Sequence, residues 1–331
     1  MTGDGSRAQT DEVTRDFESA TAPLRAELLV HCYHLLGAAT DAEDVVQEVY
    51  LRAWKAFHRF EGRSSVRTWM YRIATNACLD ALAGRARRPL PVGLGGPASD
   101  PQVPVVADTE TLWLQPLPDA AVSAAAGDVA DQVARTETVG LAMVAALQEL
   151  PARQRAVLIL REVLAFSAAE TAAMLDMTVP AANSALARAR ASIGDGVAQG
   201  RRVSELSDRE RAVWDRFCSS FARHDVDGVV RILAEDAIWE MPPFPGWYQG
   251  AEQIGQLTLS QCPAQHDGDL RLIKTSCNGQ PATGMYLRDD DVWHPFQLNV
   301  LSFSAAGELV HVGAFFEPEL FRLAGLPEVL T

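Results

Sequence analysis

Between Pro89 and about Val133 the chain loses every apolar period. The stretch RRPLPVGLGGPASDPQVPVV is rich in proline and glycine, and no helical or strand repeat runs through it. Such a segment neither continues a helix nor sits in a central strand, so it divides the chain into parts with separate cores. A length of 331 residues already points to two or three domains. The segment reads as an extended, flexible linker over 91–134. Within it, TLWLQPLPDA puts Trp113 beside two prolines, more than a plain spacer needs, so the linker is expected to dock on another surface.

The sequence on either side is helical. In DAEDVVQEVYLRAWKAF, Val45, Val49, Ala53 and Phe57 recur at i, i+4, as do Val46, Tyr50 and Trp54, which gives one broad apolar stripe. Thr40 or Asp41 is placed to cap this helix, and the acids of its first turn suit its dipole. Its other face carries Glu43, Asp44, Gln47, Glu48 and Arg52. A second helix is expected from about Ser65 to Ala83, with Val66, Trp69, Met70, Ile73, Ala77 and Leu82 inward. After the linker, four helices are expected at about 135–149, 151–163, 167–174 and 179–193. Pro151 suits a first turn, Ser167 with Glu170 forms a capping box, and Thr178 caps the last helix with Pro180 behind it.

Charge is segregated along the chain. Its formal net charge is −14, yet residues 52–90 hold nine Arg/Lys against two acids. Residues 207–331 hold nine against eighteen. A basic block in an acidic protein points to a polyanion, and nucleic acid is the natural one. The densest part is GRSSVRTWMYRIATNACLDALAGRARR, with Arg63, Arg67, Arg72, Arg85, Arg87 and Arg88 against Asp80 alone. The acidic C-terminal part is expected to do something else.

FSAAETAAMLDMTVPAANSALARAR has the form of a helix–turn–helix: a short helix, a tight turn near Asp176–Met177, and a second helix exposing Asn183, Ser184, Arg188 and Arg190. In such a unit the second helix enters the major groove, where Asn and Ser bond base edges and Arg bonds guanine or phosphate. A plain helical hairpin is the alternative. Asp176 stands where glycine is commoner, although Asp tolerates a left-handed turn. The many alanines leave the reading helix sparse in contacts.

Other chemistries find little support. There is no apolar run of about 18 residues for a membrane span. The polar, acidic start MTGDGSRAQTDEVTRDFE is not a secretory signal. The five cysteines are scattered without a CxxC pair, as in a reduced, cytoplasmic protein. His31, Cys32 and His34 in HCYH lack a second ligand pair, so packing rather than metal binding is expected, and no cofactor motif is present.

In combination, DAEDVVQEVYLRAW with FEGRSSVRTWMYRIATNACLDALAGRARR resembles region 2 of the extracytoplasmic-function (ECF) sigma factors. LQELPARQRAVLILREVLAFSAAETAAMLDMTVPAANSALARARASI resembles their region 4. The resemblance implies two all-α helical domains, at 11–90 and 135–200, on either side of the Pro/Gly-rich linker. It implies that Asp41, Glu43, Asp44, Gln47 and Glu48 face the β′ subunit of core RNA polymerase, with β as a further partner; a merely solvated helix face is the plain alternative. It also implies that the Gly62–Ser65 loop and the helix behind it read single-stranded promoter DNA at −10. Ser64 and Ser65 would leave room for an extruded base, Asn76 and Asp80 would bond its edge, and the six arginines would hold phosphates. Six such contacts cost about three orders of magnitude in affinity between roughly 50 and 200 mM salt. Trp69 falls on the inward stripe, which favours packing over a stacking platform. Residues 178–190 would read the −35 element. The polymerase would supply the catalysis, and no anti-sigma partner is named by the sequence.

The last block, 207–331, is expected to be α+β, with helices near 207–223 and 225–235 and strands at 270–276, 282–288, 293–303 and 308–316. Trp239, Met241, Pro242, Pro243, Trp247 and Gly250 match the WxMPPxxxWxxG pattern of the SnoaL-like extension carried by some ECF sigma factors. That resemblance implies a cone-shaped fold with an apolar pocket, for which Trp239, Met241, Phe244, Trp247, Tyr248, Met285, Trp293 and Phe315 are the candidates. A small-molecule ligand and a regulatory role are compatible with it. A SnoaL-type cyclase or isomerase tethered to a DNA-binding part is the alternative; it would need an acid and a base in the pocket. His266, Asp267, Asp269, His294 and Asp289–Asp291 look like solvated turns.

Overall fold

The computed structural model describes residues 15–125, 139–193 and 202–331. The start of the helix expected at 135 lies outside these residues. Contacts divide the chain into two compact units. One holds the described residues of 1–86, 122–138 and 146–197; the other holds Arg87–Ala121, Val139–Ala145 and the described residues from 202 onward.

The first unit is helical. The Arg25–Leu36 helix is buried along almost its whole length and ends at Gly37, whose φ of +71° is one that glycine adopts without strain. The Ala39–Phe57 helix buries Val45, Val46, Val49 and Ala53. Its N-cap is Ala38, which makes no side-chain cap, so neither Thr40 nor Asp41 caps it; both lie inside the first turn. Trp54, expected on the apolar stripe, is 46% exposed, and Leu51 beside it is 61% exposed. The stripe is narrower than the periodicity suggested.

The Val66–Leu82 helix is capped by Ser65, whose Oγ accepts from the Thr68 amide. Met70, Tyr71, Ala74 and Cys78 are buried, while Trp69 is half-buried against Phe57 and Phe60. The helices Ala152–Leu158, Ala168–Met174 and Val179–Ile193 follow, the first running on through one π-type turn at Ile159–Val163. Pro151 is the N-cap rather than a first-turn residue. The Ser167/Glu170 capping box forms as expected, and Asp176 turns the chain with φ +49°.

Arg155 is the most heavily engaged polar side chain of this unit. It is 3% exposed, and its guanidinium donates to the carbonyls of Leu35, Gln148 and Leu150 and to the Gln148 side chain. Burial pushes its pKa down to about 10. His31 and His34 are buried, with His31 Nε2 2.9 Å from Thr75 Oγ1. Burial lowers their pKa values to about 3 and about 4, so both are neutral packing residues.

The second unit is a six-stranded sheet, β1 (Leu233–Glu240), β2 (Trp247–Gln249), β3 (Leu270–Cys277), β4 (Gln280–Asp289), β5 (Val292–Phe303) and β6 (Leu309–Phe315), in the order β2-β1-β6-β5-β4-β3. Only the β1–β6 pair is parallel. The helix expected at 225–235 stops at Val230, and β1 begins at Leu233. The β-branched and aromatic residues around Trp239 favour the strand. A further helix, Ala251–Gln261, lies between β2 and β3. Alternation puts Met285 with Phe221 and Trp239 on one face of the sheet, while Gly284 and Tyr286 meet Phe321 and Leu326 on the other.

Residues 87–121 pack with this sheet unit instead of hanging free. Leu114 and Leu117 are fully buried, and Trp113 is 5% exposed with its indole N–H donating to the Asp108 carbonyl. Leu117 exchanges hydrogen bonds with Asn278, and the Val92 amide donates to Glu240. The segment is a docked strap.

Candidate nucleic-acid, polymerase and ligand sites

On the Ala39–Phe57 helix, Asp44, Gln47 and Glu48 are exposed, and Asp41 and Glu43 are half-buried. Asp41 Oδ2 accepts from Arg85 Nη1 at 2.8 Å, and Glu48 Oε1 accepts from Arg52 at 2.6 Å. Gln47 and Glu48 lie one turn before the exposed Leu51, and the exposed Trp54 follows one turn after it on the same face. Spacing puts Trp54 on the apolar stripe; the signal that could have singled it out, together with Leu51, is their position between Glu48 and Lys55 on the polar side.

The basic block is not one uniform surface. Arg72, Asn76 and Asp80 share a face of the Val66–Leu82 helix at intervals of four residues. Asp80 is held by Arg52 Nη1 at 3.4 Å, and Arg72 lies 3.7 Å from Asp176 of the turn. Arg63 is highly exposed and pairs with Glu61 at 2.9 Å. Ser64 is exposed beside it. Arg67 is different: its Nε donates to Glu27 at 3.0 Å, and its guanidinium covers Tyr71 and Phe166. Tyr71 is buried and donates to the same Glu27. Arg87 and Arg88 belong to the strap, donating to the carbonyls of Gly93 and Trp113.

In the helix–turn–helix, Thr178 Oγ1 accepts from the Ala181 amide, and Pro180 lies in the first turn. Asn183, Ser184 and Arg188 are exposed, while Ala182, Ala185, Leu186 and Ala189 are buried. Arg190 is exposed and ion-paired with Glu162 at 2.5 Å.

In the sheet unit a cavity of about 290 Å³ opens between the sheet and the Ala251–Gln261 helix. Trp239 and Met241 line it, as do Phe244 and Met285. Trp247, Tyr248, Trp293 and Phe315, expected in the pocket, are not part of its lining. Trp247 is a strap anchor: its indole N–H donates to Gly96, and its carbonyl accepts from Ser99. Tyr248 is buried opposite Trp239 in the β1–β2 pair. Trp293 is sandwiched near Arg271 and Arg288 and donates to Gly268. Phe315 is fully buried elsewhere in the sheet.

The lining also includes Phe221, Leu257, Thr258, Gln261, Cys262, Phe296, Gln297 and Phe316, together with Val105 of the strap. Phe296 and Gln297 both reach it because the β4–β5 register slips: Met285 pairs with Gln297, but Tyr286 pairs with Pro295. The extra residue of such a bulge turns a side chain that regular alternation would send to the other face. Ile254, Leu257 and Thr258 recur at helical spacing, and that pattern could have revealed the missing wall.

Among the described residues, no Asp, Glu, His, Lys or Arg lines the cavity. Glu240, adjacent to Trp239, faces the other way; it is buried and accepts from His311 Nε2 at 2.7 Å and from the Val92 amide at 3.0 Å. Asp269 accepts the amides of Gln265 and His266, which hold its carboxyl below the usual range, and it serves a turn. Among the described residues no group of His, Cys, Asp and Glu has the arrangement of a metal site. Nor is any described helix long and apolar enough to cross a membrane.

Comparison with known proteins agrees with the two helical blocks. Residues 23–88 match sigma-70 region 2, and residues 140–193 match sigma-70 region 4. The ECF RNA polymerase sigma factor SigG of Mycobacterium tuberculosis H37Rv is 48% identical over 326 residues, covering 98% of this chain and 87% of that protein. The ECF RNA polymerase sigma-E factor of Escherichia coli K12 is 29% identical over 163 residues, 47% of this chain and 74% of that one. The crystal structure of M. tuberculosis extracytoplasmic function sigma factor SigJ matches the fold over 93% of this chain and 99% of its own, with a TM-score of 0.54 at 20% identity.

Proposed function

This chain belongs to the ECF RNA polymerase sigma factors, and on that premise we propose that it engages the core enzyme through one face of the Ala39–Phe57 helix and reads promoter DNA at two separate places. It is an initiation factor acting in the cytoplasm, where the polymerase is, and the polymerase carries out the chemistry. One observation carries the assignment of faces: Asn183, Ser184, Arg188 and Arg190 are exposed while Ala182, Ala185, Leu186 and Ala189 between them are buried, and on the −10 helix Arg72 and Asp80 are exposed with Asn76 half-buried between them.

The polymerase-facing surface is Asp41, Glu43, Asp44, Gln47 and Glu48 around Leu51 and Trp54. Opposite charge across such a contact sets orientation and on-rate, while a desolvated tryptophan supplies holding energy. The −10 reader is Arg63, Ser64, Ser65, Arg72, Asn76 and Asp80, with Arg67 and Arg85 reinforcing the helix from their ion pairs. The −35 reader is Thr178, Pro180, Asn183, Ser184, Arg188 and Arg190. The sheet unit, with the strap docked on it, regulates the activity of the factor. The cyclase alternative is not supported, because the cavity lacks an acid–base pair.

The test is core-polymerase binding and run-off transcription by the full chain on its own upstream DNA. Wild-type protein binds core and transcribes. Glu48→Lys combined with Trp54→Ala weakens core binding at least about tenfold, from a lost anchor and reversed charge. Asn183→Ala leaves core binding intact and lowers promoter affinity by about tenfold, the low end of one lost base contact. Failure of the wild-type chain to bind core sinks the reading.

A further inference from the structure

Asp80 is the single acid among residues 62–88, and it sits where a carboxylate is least at home. It lies in the last turn of the Val66–Leu82 helix, where the helix dipole disfavours negative charge, and its side chain is 70% exposed. DNA phosphates approaching that face would repel it. The charge that offsets it comes from the neighbouring helix. Arg52 Nη1 donates to Asp80 Oδ2 at 3.4 Å, while Arg52 Nε and Nη2 both donate to Glu48 Oε1, at 3.0 and 2.6 Å. One guanidinium thus spans two carboxylates that serve different surfaces, Glu48 on the polymerase face and Asp80 on the −10 reader. The sharing is unequal: Glu48 takes two bonds, one of them short, and the bond to Asp80 is long.

Resting on the sigma-factor reading, we propose that Arg52 is a positioning residue that couples polymerase binding to −10 recognition. A cation of the polymerase that meets Glu48 offsets the hold of that carboxylate on Arg52, and the guanidinium shifts its charge toward Asp80. Asp80 is then neutralised and its oxygens are fixed in the row that Arg72, Asn76 and Asp80 form at intervals of four residues. In that state it accepts from the amino group of an extruded base without repelling the flanking phosphates. The planar fork of arginine is what lets one side chain serve two carboxylates; an ammonium is a point charge. Exposed ion pairs are individually weak, so the coupling amounts to a few-fold change in affinity.

The experiment measures core-polymerase affinity of the full chain with and without its own upstream DNA, and promoter affinity of the assembled holoenzyme. Arg52→Gln is expected to leave core affinity without DNA within about twofold of wild type, and thermal melting unchanged, since the pairs it removes are exposed. With promoter DNA present, it is expected to weaken core binding about threefold to fivefold, because linkage makes the coupling reciprocal. Promoter affinity of the holoenzyme falls by a similar factor. Arg52→Gln added to Asp80→Asn is expected to cost nothing further, since the guanidinium acts through the carboxylate. Arg52→Lys recovers only part of the loss. An additive loss in the double variant makes Arg52 a direct phosphate contact and overturns the proposal. Equal weakening of core binding with and without DNA overturns it too, as does wild-type promoter affinity in the Arg52→Gln holoenzyme. Failure of the wild-type chain to bind core sinks the sigma-factor reading and this coupling with it; wild-type binding with an unimpaired Arg52→Gln overturns the coupling alone.

Discussion

At the scale of single residues, the first helical unit depends on polar groups held inside it. Arg155 carries a guanidinium into a buried site, where both terminal nitrogens donate to carbonyls and a carboxamide, which is what allows a charge there. His31 and His34 are held neutral by burial, with pKa values near 3 and 4 against about 6.5 in an unfolded chain. The unfolded state therefore takes up protons first as pH falls. Their contribution is fully present above about pH 6.5 and is lost below it, by about 1.4 kcal/mol per pH unit for each histidine until its folded pKa is reached. Denaturant unfolding followed at pH 7.5, 6 and 5 is expected to show this fall, and His34→Asn is expected to reduce the slope by about half. A slope that the substitution leaves unchanged removes His34 as a source.

At the scale of elements, some caps and turns were legible because they are local, while the expected caps Thr40 and Asp41 lie inside the first turn of their helix. The Ser167/Glu170 box and the left-handed Asp176 needed only sequence spacing and residue chemistry. Ser65 shows the limit of that reasoning. The sequence marks it as a small hydroxyl in a DNA-reading loop, and the structure uses the same hydroxyl to cap Val66–Leu82. Two roles separate by substitution: Ser65→Ala is expected to cost about 1 kcal/mol of stability by thermal melting, and Ser65→Asp to retain it. If Ser65→Asp also retains promoter opening, the residue is a cap and not a base contact. The Ala251–Gln261 helix went unread because Gly255 and six polar residues dilute its period. The bulge that delivers Phe296 to the cavity has no sequence signature at all, since register is a property of two strands.

At the scale of the whole molecule, the strap changes what a truncation means. A chain ending at residue 205 keeps residues 87–121 but removes the sheet that buries Leu114 and Leu117, so it exposes an apolar segment as well as deleting a domain. Point substitutions are the cleaner probe. The strap also takes Arg87 and Arg88 into its own hydrogen bonds, so fewer than six phosphate contacts are expected. Replacing Arg63 and Arg72 by Gln is expected to reduce the slope of log affinity against log salt by about 2 for promoter binding. Replacing Arg87 and Arg88 is expected to leave that slope unchanged. Equal effects from the two pairs restore the uniform basic face.

What the sequence by itself determined is everything carried by period, spacing and residue chemistry: the helical blocks, the helix–turn–helix, the acidic and basic faces, the mixed α+β tail and the family. Those signals are short-range, and a single chain displays them directly. Only the tertiary structure decided where the proline-rich segment goes, which tryptophans line the cavity, and which arginines are committed to carboxylates and carbonyls within the protein. Each of those depends on what lies opposite a residue in space. Trp239 and Trp247 are eight positions apart in one motif; one walls the cavity and the other ties down the strap, because β1 and β2 present them to different neighbours.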